Sequence, residues 1–446
     1  MKKIIIFFLI LSFTFFAIGF PLYYTNLKDP EKISFVRDLL PDQFKSFLKK
    51  TVFLIPEQKL LLELYQIKME QMLRLEAKIA KIMQEKDLVD EEIFPQTQFI
   101  KLNYHEISVD GLEKRERRFA PRLFADFPSG GKISPFYIET LNEKTILIAV
   151  NGTSLFYKTP NLLEKEKPVN YEIKNNLPEN ITVTDTFVFE NQIFVAFANK
   201  DKTCDSMEIF YAEINLVFLN FEEFYSKGSI GECKFEPMGG RMAIYDDANH
   251  PSILITVKNL EDQFSIILLI DMKTKDTRPI SSGHRNPQGL LVNEKNIVLS
   301  TEHGPRGGDE INKIIEGKNY GWPEVSYGEG YNANYNNTDK FRYKKNHARH
   351  GFEEPIYSFT PAIGISQIIQ VPKEFSLRWQ NNYLITSLRG RAIYRVNFDE
   401  NYSRIITMEK IKIGKRIRDI AYNEKYNCFF LALEDESGSI GVISID

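Results

Sequence analysis

Cysteine is scarce: the 446-residue chain has three. No Cys-x-x-Cys pair occurs, which argues against a zinc site or a thiol-redox centre. Cys204 and Cys233 either close a loop of about 30 residues, worth roughly 3–4 kcal/mol if unstrained, or stay as buried free thiols. Cys428, in "YNCFFLAL", reads as a buried strand residue. Long basic runs are missing as well. The net charge is -3, and "RYKKNHARH" (residues 342–350) is short and mixed, so nucleic acid is excluded as the main partner. Beyond about residue 94 almost no long amphipathic helix intervenes, which leaves short strands and turns as the material of the fold.

The beginning of the sequence has a character of its own. Lys2 and Lys3 precede an apolar run of about 17 residues that Pro21 interrupts, near the lower limit for a bilayer span. A basic start with a short apolar segment marks a secretory signal or a membrane anchor. The bulky residues of "FAIGFPLYY" do not suit signal cleavage, which favours an uncleaved anchor over residues 1–22. Residues 23–93 read as helical. Within 56–88, Leu61, Tyr65, Met72, Leu75, Ile79 and Ile82 fall at alternating four- and three-residue steps, with Lys68 interrupting. That pattern predicts a stalk, a packed helix or a short coiled coil able to join copies of the chain.

Residues 94–446 change to short apolar strands parted by Asn, Gly, Asp and Lys turns. Phe and Tyr are plentiful, 34 and 21, as β structure favours. "NQIFVAFANK", "NIVLSTEHG", "NYLITSLRG" and "NCFFLALED" repeat one unit, an apolar strand ending in polar residues. Such repeats point to an all-β propeller over a sandwich or barrel.

One stretch stands apart. "TEHGPRGGDEINKIIEGKNYGWP" (residues 301–323) holds five Gly, two Pro and a Trp. Its Glu302, Asp309 and Glu310, with the carbonyls of Gly304, Pro305 and Tyr320, are hard oxygen donors that suit calcium. The alternative is a loop pinned by its own hydrogen bonds, with Trp322 in the core. Upstream, "SSGHRNPQGLLV" offers Arg285 and Asn286, a pair suited to a carboxylate or carbonyl. Downstream come Arg389 and Arg391, then Lys415, Arg416 and Arg418, with Arg416 and Arg418 on one strand face. Each cluster alone reads as a solvated basic face; three at strand entrances favour an anionic ligand at the centre.

"GHRNPQGL", "TEHGPRGGDEIN", the "NYGWP…VSYG" stretch, "EPIYSFTPAIGIS", "WQNNYLITSLRGRAIYRV" and "RIRDIAY" together resemble the glucose/sorbosone dehydrogenase family, from about Gly239 onward. The resemblance implies a six-bladed β-propeller that uses pyrroloquinoline quinone (PQQ) and calcium to oxidise sugars in the periplasm. It implies that Arg285, Asn286, Arg389, Arg416 and Arg418 face the quinone, with Arg389 standing where the family often has Lys. The Gly304 and Pro305 carbonyls would hold its calcium. Glu310, Tyr320, Glu329 and Tyr331 are similar to a second, structural calcium site. PQQ carries three carboxylates, which the arginines would suit.

The sequence departs from the family at the proton-transfer step. The family's catalytic His falls at Pro237 in "FEPMGGRMAIY", and its partner Asp falls in Lys258-Asn259. His284 and His303 occupy family motif positions that are not the base. Glu236, beside the gap, is the substitute candidate. The first blade, "ISPFYIETLNEKTILIAVNGTSL", lacks the family's Trp-Gly and Thr-Glu-Arg elements. Three readings follow: an anchored periplasmic sugar dehydrogenase with a rearranged base, a non-catalytic or differently catalytic propeller that binds a ligand or partner and keeps a calcium site, or a structural propeller in which only calcium and packing keep the loop motif.

Overall fold

The computed structural model describes residues 101–108, 135–142, 145–150, 154–158, 170–199, 206–226, 239–247, 250–259, 264–330, 343–434 and 438–445. The expected anchor and helix, Cys204, Cys233, Glu236, Pro237 and Tyr331 lie outside the described residues. Among the described residues the only helices are two three-residue 3-10 turns, Ala348–His350 and Leu377–Trp379, and no helix is long and apolar enough to cross a membrane.

The strands form six antiparallel sheets, the six blades of a propeller. Blade I runs through Phe136–Asn142, Thr145–Val150, Leu155–Lys158 and Asn170–Asn175. Blade II runs through Ile181–Phe189, Gln192–Asn199, Ser206–Glu213 and Glu222–Ser226. Blade III is Gly239–Asp247, His250–Asn259, Phe264–Asp271 and Thr277–His284. Blade IV is Pro287–Val292, Val298–Glu302, Asp309–Ile314 and Tyr357–Phe359. Blade V is Ile365–Gln370, Asn382–Ser387, Ala392–Phe398 and Ile405–Lys412. Blade VI is Ile417–Asn423, Cys428–Leu433 and Ser439–Ile445. Its fourth strand is Leu102–Ser108, antiparallel to Ser439–Ile445 from Leu102 opposite Ile445 to Ser108 opposite Ser439. The first strand of each blade contacts the first strand of the next, and blade I contacts blade VI, so the ring is closed.

Blades are held by face-to-face packing, and the apolar clusters show it. One cluster lies in each of the six interfaces: Tyr137, Ile173 and Phe197 between blades I and II; Phe194, Ile209 and Ile255 between II and III; Leu254, Leu290 and Tyr320 between III and IV; Leu299, Ile385 and Val396 between IV and V; Leu384, Ile417 and Phe429 between V and VI; Phe136, Phe430 and Val442 between VI and I. A middle strand is covered on both faces, so it reads as a continuous apolar run, as in "QIFVAFAN" and "CFFLAL". Each Leu, Ile or Phe so buried contributes about 1.5–3 kcal/mol. Cys428 is buried on such a strand, as expected. The outer strand Ile405–Lys412, "IITMEKIK", half-buries Ile405, Met408 and Ile411, exposes the rest, and carries the charges that discourage edge pairing.

Two short strands cross between blades. Phe218–Leu219, from the blade II connection, pairs in parallel with the outer strand of blade I. Lys318–Asn319, from the blade IV connection, does the same to blade III, with Ser281 opposite Lys318. Each staples a blade to its predecessor.

Candidate active site

The site lies where the inner strands begin and the second strands end, because Pro287 faces Glu302, Ile365 faces Ser387 and Ile417 faces Leu433. Near this end the inner strands of blades II to VI each carry a register irregularity: between Val183 and Asp185, Gly239 and Met242, Pro287 and Gly289, Ile365 and Ile368, and Ile417 and Asp419. A bulge breaks the two-residue alternation and re-aims a side chain. Here it brings polar residues of otherwise apolar strands to the axis.

Arg241 is the centre of that arrangement. It is 2% exposed. Its Nη1 donates to Asp185 of blade II at 2.7 Å and Asp419 of blade VI at 3.0 Å. Its Nε donates to the Gln288 carbonyl of blade IV and its Nη2 to the Arg418 carbonyl. The guanidinium lies 4.7 Å from the centre of the Tyr137 ring of blade I. The two aspartates also accept backbone amides, Met242 N on Asp185 and Ile138 N on Asp419. Ser366 of blade V donates to the Arg418 carbonyl. Blades I, II, III, IV and VI therefore meet at one buried cation, and blade V joins through the Arg418 carbonyl.

Above it sits a second basic group. Arg418 Nε donates to Glu434 at 2.6 Å, and its Nη1 to Gln288 Oε1 at 3.0 Å. Arg416 reaches the same Glu434 at 3.4 Å, so Arg416 and Arg418 share a side as their spacing predicts. Burial alone would raise the Glu434 carboxyl; the attraction of Arg418 and Arg416 outweighs it and holds the group below its usual range. Arg285 donates to the His303 carbonyl at 2.8 Å and lies 5.2 Å from the Trp322 ring centre. The Asn286 carbonyl accepts from His303 N, and its Oδ1 accepts from Gln288. Arg389 is exposed on the turn after Asn382–Ser387.

His303 lies among these arginines. Its Nε2 is buried without a hydrogen-bond partner. Burial first, then Arg418 and Arg285, push its pKa down to about 3, so the ring is neutral. Three guanidiniums against the single Glu434 carboxylate, beside an unsatisfied imidazole nitrogen, form a cradle that suits an acidic ligand. The adjoining Gly304 and Pro305 carbonyls receive no backbone amide from the described residues.

The glycine-rich loop is pinned rather than open. Asp309 accepts Gly304 N on one carboxylate oxygen and Ile365 N on the other, each at 3.1 Å. Its oxygens are therefore spent on backbone amides, and Asp309 serves as a clamp where the sequence suggests a cation ligand. Glu302 accepts His284 Nδ1 at 3.1 Å, and His284 Nε2 meets Ser281. Trp322 is only half-buried and packs on Tyr343, so it is not in the core.

Of the residues expected at a structural calcium site, three are described: Glu310, Tyr320 and Glu329. Glu310 is buried, and burial drives its carboxyl above the usual range. The Tyr320 carbonyl is taken by His347 Nδ1 at 2.9 Å. Glu329 points outward, half-exposed, onto Lys345 at 3.0 Å. Among the described residues no group of three or more His, Cys, Asp or Glu forms a metal cluster. At the family's proton-transfer positions, Asn259 ends the strand His250–Asn259, and the side chains of Lys258 and Asn259 lie outside the described residues with Glu236 and Pro237.

Sequence reasoning passed over Asp185 and Asp419. Their signal was a lone carboxylate inside an apolar strand, in "ITVTDTFVF" and "IRDIAYN". It also passed over His347, inside a stretch read only as mixed charge.

Comparison with known proteins bears on the same residues. Residues 269–442 match the glucose/sorbosone dehydrogenase family. The aldose sugar dehydrogenase YliI of Escherichia coli is 33% identical over 162 residues, covering 35% of this chain and 41% of the relative. Quinoprotein glucose dehydrogenase B of Acinetobacter calcoaceticus is 28% identical over 205 residues, covering 35% of this chain and 43% of the relative. An uncharacterized Synechocystis protein, slr1608, is 40% identical over 143 residues, covering 31% and 32%. The chain thus spans about a third to two-fifths of the curated relatives it matches. Among solved structures, the soluble aldose sugar dehydrogenase of Escherichia coli in its apo-form superposes with a TM-score of 0.59 at 18% identity, over 78% of this chain and all of the other. The PQQ-bound aldose sugar dehydrogenase of Streptomyces coelicolor does so at 0.52 and 15% identity, over 78% and 99%. These likenesses establish the shared propeller fold. The match starts after Gly239-Gly240-Arg241, so blades I and II and the axial arginine lie outside it. The part of the chain that resembles the glucose/sorbosone dehydrogenase family thus runs from the third strand of blade III to the last strand of blade VI.

Proposed function

We propose that the protein is an aldose sugar dehydrogenase-like quinoprotein that binds PQQ on the face where the inner strands begin. The observation that carries this reading is the grouping of Arg285, on the His303 carbonyl, with Arg416 and Arg418, on Glu434, near a His303 ring whose buried Nε2 has no partner, beside the Gly304 and Pro305 carbonyls. Such a donor set fits a ligand with several carboxylates. Arg285, Arg416 and Arg418 would hold those carboxylates, with Asn286 and Arg389 at the rim. The two carbonyls would hold an accompanying calcium. PQQ, when bound, supplies the two-electron acceptor for a sugar carbon. The match to the family over residues 269–442 and the PQQ-bound structural neighbour support this cofactor.

The chain must then remove the proton of the sugar hydroxyl. Pro237 has no group that accepts one, and Glu236 is the proposed substitute. The N-terminal apolar run would anchor the protein to the periplasmic side of the inner membrane, with residues 56–88 as a stalk or oligomerisation helix. A second reading, a non-catalytic propeller that binds a ligand, is favoured specifically by Pro237.

The test uses the purified full chain in detergent with PQQ and calcium. PQQ affinity is measured by fluorescence, and dye reduction is measured with a panel of aldoses. Binding is expected, and Arg285→Met should weaken it roughly ten- to hundredfold through loss of a charge-assisted contact. Turnover that falls in Glu236→Gln supports the dehydrogenase with Glu236 as base. Binding without turnover moves the protein to the second reading, and no binding removes the quinone from both.

A further inference from the structure

The oxygens that resemble part of a structural calcium site already lie against Lys345 and His347 of the same chain. The segment after the loop, residues 343–350, lies against it through Ser326 N to the Lys344 carbonyl and Lys344 N to the Glu324 carbonyl. From this segment Lys345 extends its ammonium into three oxygens. It donates to the Ser326 carbonyl at 2.9 Å and the Gly328 carbonyl at 2.6 Å, and it pairs with Glu329 at 3.0 Å. Two residues on, the buried His347 ring lies between the Tyr320 carbonyl, on Nδ1 at 2.9 Å, and the Glu310 carboxylate, 3.4 Å from Nε2. Tyr327 stacks on the imidazole, with ring centres 5.4 Å apart.

Because its partner is a carbonyl, Nδ1 carries the hydrogen. A divalent ion joining Glu310, the Tyr320 carbonyl and Glu329 would need these oxygens to converge at 2.3–2.6 Å. Here the imidazole lies between the first two, and the third is drawn aside by an ammonium. We infer that this loop is organised by Lys345 and His347 in place of a divalent cation, so its stability does not depend on calcium.

The inference does not rest on quinone binding and is tested without quinone. Thermal unfolding of the full chain is followed in about 10 mM calcium and in chelator. A site with a Kd of about 0.1 mM, the tighter end for extracellular modules, would shift the folding equilibrium about a hundredfold toward the folded state. The expected result is the same midpoint in both buffers. A midpoint that rises with calcium, with the rise lost in Glu310→Gln, overturns the inference. A rise that survives Glu310→Gln comes from another site and supports it. Lys345→Met is expected to lower the midpoint, with Lys345→Arg restoring part of the loss. An unchanged midpoint in Lys345→Met also overturns it.

Discussion

Arg241 joins its own blade to blades I, II, IV and VI, and its replacement has a calculable cost. In Arg241→Met the apolar stem is kept and the guanidinium is lost, leaving Asp185 and Asp419 facing each other without their cation. Breaking a buried pair in this way costs about 3–5 kcal/mol, and urea unfolding should show a loss of that size. Arg241→Lys should recover little, because one ammonium cannot reach two carboxylates and two carbonyls together. Glu434 gives a different test, in pH. Its folded pKa is depressed, so the unfolded chain takes up its proton first as pH falls. The stability it contributes is present above the ordinary carboxylate pKa of about 4.5 and is lost as pH drops through the lower folded value. Glu434→Gln should therefore be less stable than wild type at pH 7 and show a shallower loss below about pH 4.5 in pH-dependent unfolding.

The element that most constrains the site is the loop joining the second and third strands of blade IV. Gly308 has φ of +71°, and a Cβ there would lie 2.3 Å from Gly328 N. Gly308→Ala meets backbone, not a flexible side chain. It should cost more than the ~1 kcal/mol typical of a tolerated glycine replacement and shift the Asp309 clamp. Loss of PQQ affinity together with a lowered unfolding midpoint would report both effects. This loop was legible in the sequence because its glycines, prolines and charges are local signals. The strands were legible for the same reason, and so was the side shared by Arg416 and Arg418. The axial network was not. Asp185, Arg241 and Asp419 come from three blades, and their inward aim depends on bulges that no local pattern announces. Lys345 and His347 were hidden differently. Their charge was visible, but the oxygens they meet, from Glu310 to Glu329, lie well before them in the chain, and only the fold brings the two together.

At the scale of the molecule, stability resides in the six interfaces, each with its own apolar cluster, and in closure of the ring. Removing residues 101–108 deletes the outer strand of blade VI and exposes the amides of Ser439–Ile445 that face it. Hydrogen exchange should accelerate across that strand first and then across the VI–I interface. Exchange confined to blade VI would mean that the other five blades form a cooperative unit without closure.

The closing strand has a consequence for how the protein is made. Leu102–Ser108 leaves the ribosome before any blade, yet its partner, Ser439–Ile445, is translated after all the other strands. Blades I to V can form in order as they emerge, but the first-made strand must wait, unpaired, for the last. Pairings so distant along the chain are slow to form. Throughout that interval an edge carrying Tyr104 and Ile107 remains open to other chains. A chaperone that protects this protein during synthesis would therefore be needed most at its earliest β segment.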